Sequence, residues 1–275
     1  MLRRFVLVVS ALAGFAGLTS VRAADTTKVA FVPTTMDGYI VTIKVNVLAS
    51  PKWDGAGVMS AIAYPTASFR KAGTTPKFSS PDDGIGFGIV DTQQFTAGPV
   101  FRYRAGRYDG SDKDLRGIHD ARWTVESGLF ADAWITPNLR ARGEIMRGFR
   151  EKDGFTANMG LDLVNSFNSW TVAIGPRLVV ADGSFMRNHF GVTARDALLN
   201  PRVRQYTAKA GFKSVGLYAS ASYKFNDAWT ATVHGGYDRL VAAAAQSPIT
   251  TKLGSKNQGT IGLTIAYSFP VKGGF

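Results

Sequence analysis

The stretch 258–269 reads QGTIGLTIAYSF. Side chains alternate between the two faces of a β-strand. Ile261, Leu263, Ile265, Tyr267 and Phe269 therefore share one face, and Thr260, Gly262, Thr264, Ala266 and Ser268 share the other. One face is wholly apolar and ends in two aromatics, while the other is small and polar. Such a strand suits a wall with lipid on one side and a polar lumen on the other, as in an outer-membrane β-barrel.

The opposite end of the chain agrees. Arg3 and Arg4 precede an apolar run over 5–18, and Val21-Arg22-Ala23 offers a small-residue cleavage site. This is the order of a secretory signal peptide, assigned to 1–23, with the mature chain beginning at Ala24 or Asp25. No later stretch reaches the ~20 apolar residues of a spanning helix. Cysteine is absent, which excludes disulfides and thiolate metal sites. The formal charge is +12; the signal stretch carries three of the 32 basic residues and no acid, leaving 29 against 20. Such an excess could favour phosphate-bearing lipid headgroups or nucleic acid, and export argues against nucleic acid; the basic residues are scattered, which suits an ordinary solvated, mixed surface equally well.

Between the ends, period-two alternation recurs and helical periodicity is poor. Tyr39, Val41, Ile43, Val45 and Val47 alternate with Thr42, Lys44 and Asn46. Comparable patterns start near Phe95, Leu139, Phe155, Trp170, Val215 and Trp229. Thr136-Pro137-Asn138, Phe167-Asn168-Ser169 and Asn226-Asp227 read as tight turns, whereas 105–120, 182–206 and 241–257 are long connections. Short turns at one end and long loops at the other are the habit of outer-membrane barrels. Eight strands follow from about residue 95. Strands near 39–49 and 57–70, with a short pair near 75–80 and 84–91, bring the count to twelve; ten is the alternative. The expected fold is all-β, a transmembrane antiparallel up-and-down barrel over about 38–269, the single domain of 24–275. A soluble barrel with an apolar interior would have the reverse polarity. Arginines on what would be its outside argue against it.

Pro99 and Pro176 interrupt strands and predict bulges. Trp134 has lumen parity, which a bulge near the rim would explain. Tyr103, Trp123, Trp170, Trp229 and Tyr237 gather at strand ends, as an interfacial aromatic girdle does.

Several stretches together resemble the MipA/OmpV family of MltA-interacting outer-membrane proteins. They include SSPDDGIGFGIVDT at 79–92, GPVFRYRAGR at 98–107, DLRGIHDARWTVESG at 114–128, WTVAIGPRLVVADGSFMRNHFGVT at 170–193 and YDRLVAAAAQSPI at 237–249. Two departures are the tail after Phe269 and the Ala242–Ala245 run, where the family tends to have Gly-Asp. The resemblance implies a scaffold linking a murein-degrading lytic transglycosylase to a murein synthase. Porin-like and adhesin-like roles are also discussed for the family.

No catalytic set stands out, and neither a cofactor nor a metal is expected. His234 shares the lumen face with Asp238 and two threonines, and reads as an ordinary polar lumen residue. His119 and His189 fall in long loops and read as surface residues. Asp109, Asp112 and Asp114 lack the regular spacing of a calcium loop. Gly84, Gly86 and Gly88 mimic a nucleotide loop but precede no helix. The lumen face does carry charge: Arg102, Arg104, Arg140, Arg142 and Arg177 with Glu126, Glu144, Asp162 and Asp238. These could line a narrow solute channel with mild anion preference. Paired with one another they would fill the barrel instead. The expected role is a non-enzymatic scaffold for murein enzymes, with outer-membrane lipid and lipopolysaccharide as further partners. Arg187, Arg195, Arg202 and Arg204 are placed to meet the lipopolysaccharide phosphates.

Overall fold

The computed structural model describes residues 38–150 and 152–272. The expected signal peptide, the rest of the chain before Gly38 and the last three residues lie outside them. The strands are β1 (Gly38–Pro51), β2 (Met59–Lys71), β3 (Ile85–Gly86), β4 (Val90–Asp91), β5 (Phe95–Arg104), β6 (Thr124–Thr136) and β7 (Leu139–Gly148), then β8 (Phe155–Phe167), β9 (Trp170–Ala181), β10 (Gly211–Lys224), β11 (Trp229–Leu240) and β12 (Asn257–Lys272). All pair antiparallel in one twelve-stranded sheet, ordered β2-β1-β12-β11-β10-β9-β8-β7-β6-β5-β3, with β4 also on β5. The first strand thus pairs with the last, Gly38 opposite Lys272 and Ala49 opposite Ile261.

The alternation in the sequence sets which way each strand faces. On β7, Ile145 is exposed on the outer face, while Arg140, Glu144 and Met146 are buried inside. On β12, Ile261, Leu263, Ile265 and Tyr267 are exposed. Lipid solvates that outer face, so its exposure costs nothing there, whereas backbone polar groups must pair within the sheet.

The twelve strands do not arise as the sequence suggests. Residues 75–80 form no strand; β3 and β4 are two pieces of one stave, both laid along β5. β2 ends at Lys71, opposite Tyr39 at the short-turn end. Ile85 pairs with Phe101, near the long-loop end of β5. The chain over 72–84 must therefore climb roughly 20 Å of barrel height, given about 3.3 Å per strand residue. It does so inside: Ser80, Asp82 and Asp83 bond to inward-facing arginines of β7 and β9. β2 forms no ladder with β3 or β4, and the Phe69 and Phe87 rings meet across this seam with centroids 6.4 Å apart.

Neither Pro99 nor Pro176 makes a bulge. Pro99 stays in register with Leu129. Its carbonyl accepts from Phe87 N–H, so its missing donor faces the same neighbour, the stave broken between Gly86 and Val90. Pro176 stays in register with Leu217, while the β8–β9 ladder lapses opposite it. The Leu161 carbonyl facing that gap accepts instead from Arg177 Nη1 at 3.0 Å. The β6–β7 register shifts only beyond Trp134, between it and Thr136; Trp134 itself stays in register opposite Arg140, so this bulge does not turn it outward.

The long connections, which lack helical signal, hold three short helices: α1 (Gly183–Phe190), α2 (Ala194–Leu199) and α3 (Ala242–Gln246). With a π-helical turn at Ile249–Leu253, they make a lid over the long-loop end. One lid cluster joins Trp53, Leu115, Ile118, Val192, Ile249 and Leu253. Another joins Phe185, Met186, Phe190, Leu240 and Ala244. The run Ala242–Ala245 is thus α3, and its Ala244 packs into the second cluster.

Close packing against the broken stave is testable. A Cβ at Gly98 would lie 1.8 Å from the Phe87 carbonyl oxygen, whereas one at Gly143 would meet nothing within 4 Å. Gly98→Ala is expected to cost about 1–3 kcal/mol in urea unfolding, and Gly143→Ala to stay within about 0.5 kcal/mol of the parent.

Candidate functional site in the barrel lumen

The lumen is uneven. Around β5–β9 it is filled by ion pairs; around β10–β12, β1 and β2 it is lined by hydroxyls. In the hydroxyl half, side chains pair across strands: Thr42 with Ser268 and Ser222 with Thr232, both at 2.8 Å, and Thr264 with Asn46 at 2.9 Å. His234 shares a 2.7 Å hydrogen bond with the Tyr218 hydroxyl. No bond joins it to Asp238, and neither Asp238 nor Lys44 has an ion-pair partner among the described residues.

In the charged half, Arg140 is the centre, with 1% of its surface exposed. Its Nη1 donates to Asp162 at 2.9 Å and its Nη2 to Asp83 at 2.7 Å, and Asp132 lies 2.7 Å from Nη2. Arg142 donates to Asp132 and Glu144, both at 2.8 Å, and lies over the Phe130 ring. Arg177 holds Asp82 through Nε and Asp162 through Nη2, each at 2.7 Å. Arg102 reaches Glu144 at 2.7 Å, and Gly84 N–H donates to that same carboxylate at 2.9 Å. Four guanidiniums thus meet five carboxylates, two of them delivered by the inner segment. A ring of free positive charge, which anion selection needs, is not what these arginines form. The glycines at 84 and 86 serve this packing: a Cβ would fall 2.4 Å from Val100 Cγ2 at Gly84 and 2.7 Å from the Phe130 ring at Gly86.

A second cluster lies under the lid. Arg104 grips Glu126 with two 2.9 Å bonds and donates to Asp54 at 2.8 Å, and Lys213 donates to Asp54 at 3.1 Å. Burial would raise the Asp54 carboxyl, yet Lys213 and Arg104 outweigh it and hold the group well below the usual carboxylate range. His189 is not a surface residue. It is 6% exposed and stacks on Phe185 with ring centroids 4.2 Å apart. Burial pulls its pKa down to about 3, and Arg104, Arg107 and Lys213 add to this against Asp54. Arg107, buried without a bonded carboxylate, ties the lid together through the carbonyls of His189 at 2.8 Å and His119 at 3.2 Å; burial lowers its pKa to about 10. His119 is half-buried and bonds Asp196 at 2.7 Å.

Of the loop aspartates, Asp109 accepts from Gly117 N–H, Asp112 caps a short 3-10 turn at Lys113–Leu115, and Asp114 pairs with Arg202. Among the described residues no His, Cys, Asp and Glu cluster could hold a metal ion. The aromatics Tyr103, Trp123, Trp170, Trp229 and Tyr237 stand exposed at strand ends. Sequence reasoning placed the lumen arginines but missed Asp54, Asp82, Asp83, Asp132 and Lys213. Asp132 had a signal, since it has the same inward parity on β6 as Glu126.

Two outcomes follow from these clusters. Arg140→Ala leaves three carboxylates without their shared partner and is expected to destabilise the barrel by about 3–5 kcal/mol, read from the urea midpoint. For His189, the unfolded chain takes up a proton near 6.5 that the folded lid refuses until about 3, so its contribution is whole above 6.5 and declines as pH falls between those values. At pH 5 the lid should be about 2 kcal/mol less stable than at neutral pH. Faster proteolysis of the lid at pH 5, flattened in His189→Gln, is the expected observation.

Residues 14–269 match the family described as MltA-interacting protein MipA. No curated protein matches the chain. Among solved structures, an outer membrane channel from Pseudomonas putida F1 is 10% identical, with 86% of this chain and 97% of that chain covered and a TM-score of 0.43. The N-terminal β-barrel domain of Pseudomonas aeruginosa OprF is 7% identical, covering 83% and 97%, with a TM-score of 0.27. The NanC porin is 9% identical, covering 84% and 100%, with a TM-score of 0.39. Each likeness is loose. The family match spans almost the whole chain, and the chain belongs to the MipA family of outer-membrane barrel proteins.

Proposed function

We propose that this barrel is a sealed scaffold that presents its short-turn end to murein-cleaving enzymes of the MltA type. The observation that carries the reading is the ion-paired half of the lumen, in which the inner segment delivers Asp82 and Asp83 onto Arg177 and Arg140 beneath a packed lid. A conduit needs free volume and unbalanced charge along its length. A platform needs a rigid frame, which charge-paired side chains on adjoining strands supply. The family's description names an interaction with MltA, and this supports the choice of partner.

With short turns towards the periplasm, as is usual for such barrels, the face on offer comprises the turns at 137–138, 168–169 and 226–228. The exposed start of the inner segment, from Gly73 to Lys77, joins them. A bridge from there to a murein synthase would complete the scaffold.

Photo-crosslinkers placed at Lys77, Asn138 and Asn226 in intact cells are expected to capture a lytic transglycosylase above the level of an unrelated barrel. The same crosslinkers at Ser111 or Arg195 on the long-loop side should capture none. Purified barrel in a planar bilayer is expected to pass no steady current. Steady current whose selectivity reverses in Arg140→Glu/Arg142→Glu, with no enzyme captured, would overturn the scaffold reading in favour of a channel.

A further inference from the structure

The lid carries an unexplained concentration of charge on its outer side. Two clefts adjoin there and share Thr251. One, of about 450 Å³, runs beside Arg239, Lys256 and Thr250; the other, of about 400 Å³, beside Arg202, Arg204 and Lys252. Five cations line the pair and no carboxylate does. Among the described residues the one acid bonded to any of them is Asp114, which pairs with Arg202 from outside the lining. Arg204, Lys252 and Lys256 are exposed and have no ion-pair partner among the described residues.

The remaining lining is polar in a way that suits hydroxyl groups. Ser255 and Asn257 line the first cleft and Gln246 the second. Thr251 is already bonded, its hydroxyl donating to the Ser247 carbonyl at 3.0 Å. Thr250 also borders the first cleft, but it is 1% exposed and its hydroxyl lies beside Gly55 in the lid core, out of reach of a ligand. The walls are also firm. They rest on Ile249 and Leu253, both in the lid cluster, and on Ser247, whose hydroxyl donates to the Phe190 carbonyl at 2.6 Å.

We infer that these joined clefts bind an anionic oligosaccharide, a chain of phosphorylated or carboxylated sugars. The cations would meet its acidic groups, and the amide and hydroxyl side chains its sugar hydroxyls. A single small anion would use one cleft and leave the other cations unpaired. A chain of several sugars matches two adjoining clefts with cations spread along both. Charge-assisted bonds from Arg and Lys are the strong ones in such a site, and an unbalanced cationic surface also speeds the arrival of an anionic ligand. This site sits at the end opposite the turns proposed to meet murein enzymes, and it stands or falls separately.

Titration calorimetry on the purified full barrel in detergent tests it, with three probes of similar length: phosphorylated core oligosaccharide released from lipopolysaccharide, oligogalacturonate, and neutral maltooligosaccharide. At least one acidic probe is expected to bind, weakening as salt rises, while the neutral probe does not. Tighter binding of the phosphorylated probe would identify lipopolysaccharide as the source, and tighter binding of the carboxylated probe a uronate polymer. Arg204→Glu/Lys252→Glu should weaken binding at least tenfold and Lys256→Glu severalfold. These side chains are exposed, so folding should persist; Arg204→Gln/Lys252→Gln provides a milder variant, expected to fall between. Equal binding of neutral and acidic probes, unchanged affinity in the charge-reversed barrel, or full displacement by millimolar inorganic phosphate would each overturn the proposal.

Discussion

One guanidinium holds the interior of this barrel together. Arg140 projects from β7 into a space that water barely reaches, and it touches carboxylates from β6, β8 and the inner segment at once. Removing a charge from water is costly unless partners surround it. Here the surrounding partners are drawn from three separate parts of the chain, so satisfying the charge and fixing the geometry are one event. The course of 72–84 follows from this. Without Asp83 on Arg140 and Asp82 on Arg177, a mostly polar stretch with little apolar surface would have no reason to leave water.

The rest of the lumen is organised by difference from that half. Around β10–β12, β1 and β2, short hydroxyl side chains pair with their cross-strand neighbours and need no charge. The lid adds a third environment, an apolar core of its own with capped helices. Asp182 caps α1, and Thr193 with Asp196 forms a capping box on α2. Each region satisfies its polar groups differently, yet Asp54, in the β1–β2 connection, reaches down to Arg104 and Lys213 and joins lid to barrel.

The strands were legible because lipid enforces a strict two-residue period. Ile261 to Phe269 could be assigned to one face without knowing anything about their neighbours. Inward parity likewise found Arg102, Arg140, Arg142 and Arg177. What parity cannot reveal is a segment that leaves the sheet, so in the sequence 75–80 looks like a strand. Asp82 and Asp83 have no strand period to betray them; their role exists only once β7 and β9 stand opposite. The prolines misled in a related way. A proline within a strand signals a missing donor, but the sequence cannot say which neighbour that donor would have faced. For Pro99 it is a stave already broken, and for Pro176 a guanidinium takes over the abandoned carbonyl. The short helices escaped because their apolar positions pack into a lid only five to eight residues at a time, too few for a helical period to emerge.

The seam between β2 and the β3–β4 stave bears on the mechanics of the wall. Around the circumference, among the described residues, every other pair of neighbouring staves shares a backbone ladder. Parting any other joint breaks a row of bonds in a medium that offers no replacements, whereas parting this one separates chiefly side chains such as Phe69 and Phe87. Lateral strain from the bilayer therefore concentrates on a single line. The inner segment joins the two sides of that line from within and acts as an internal brace against hoop expansion.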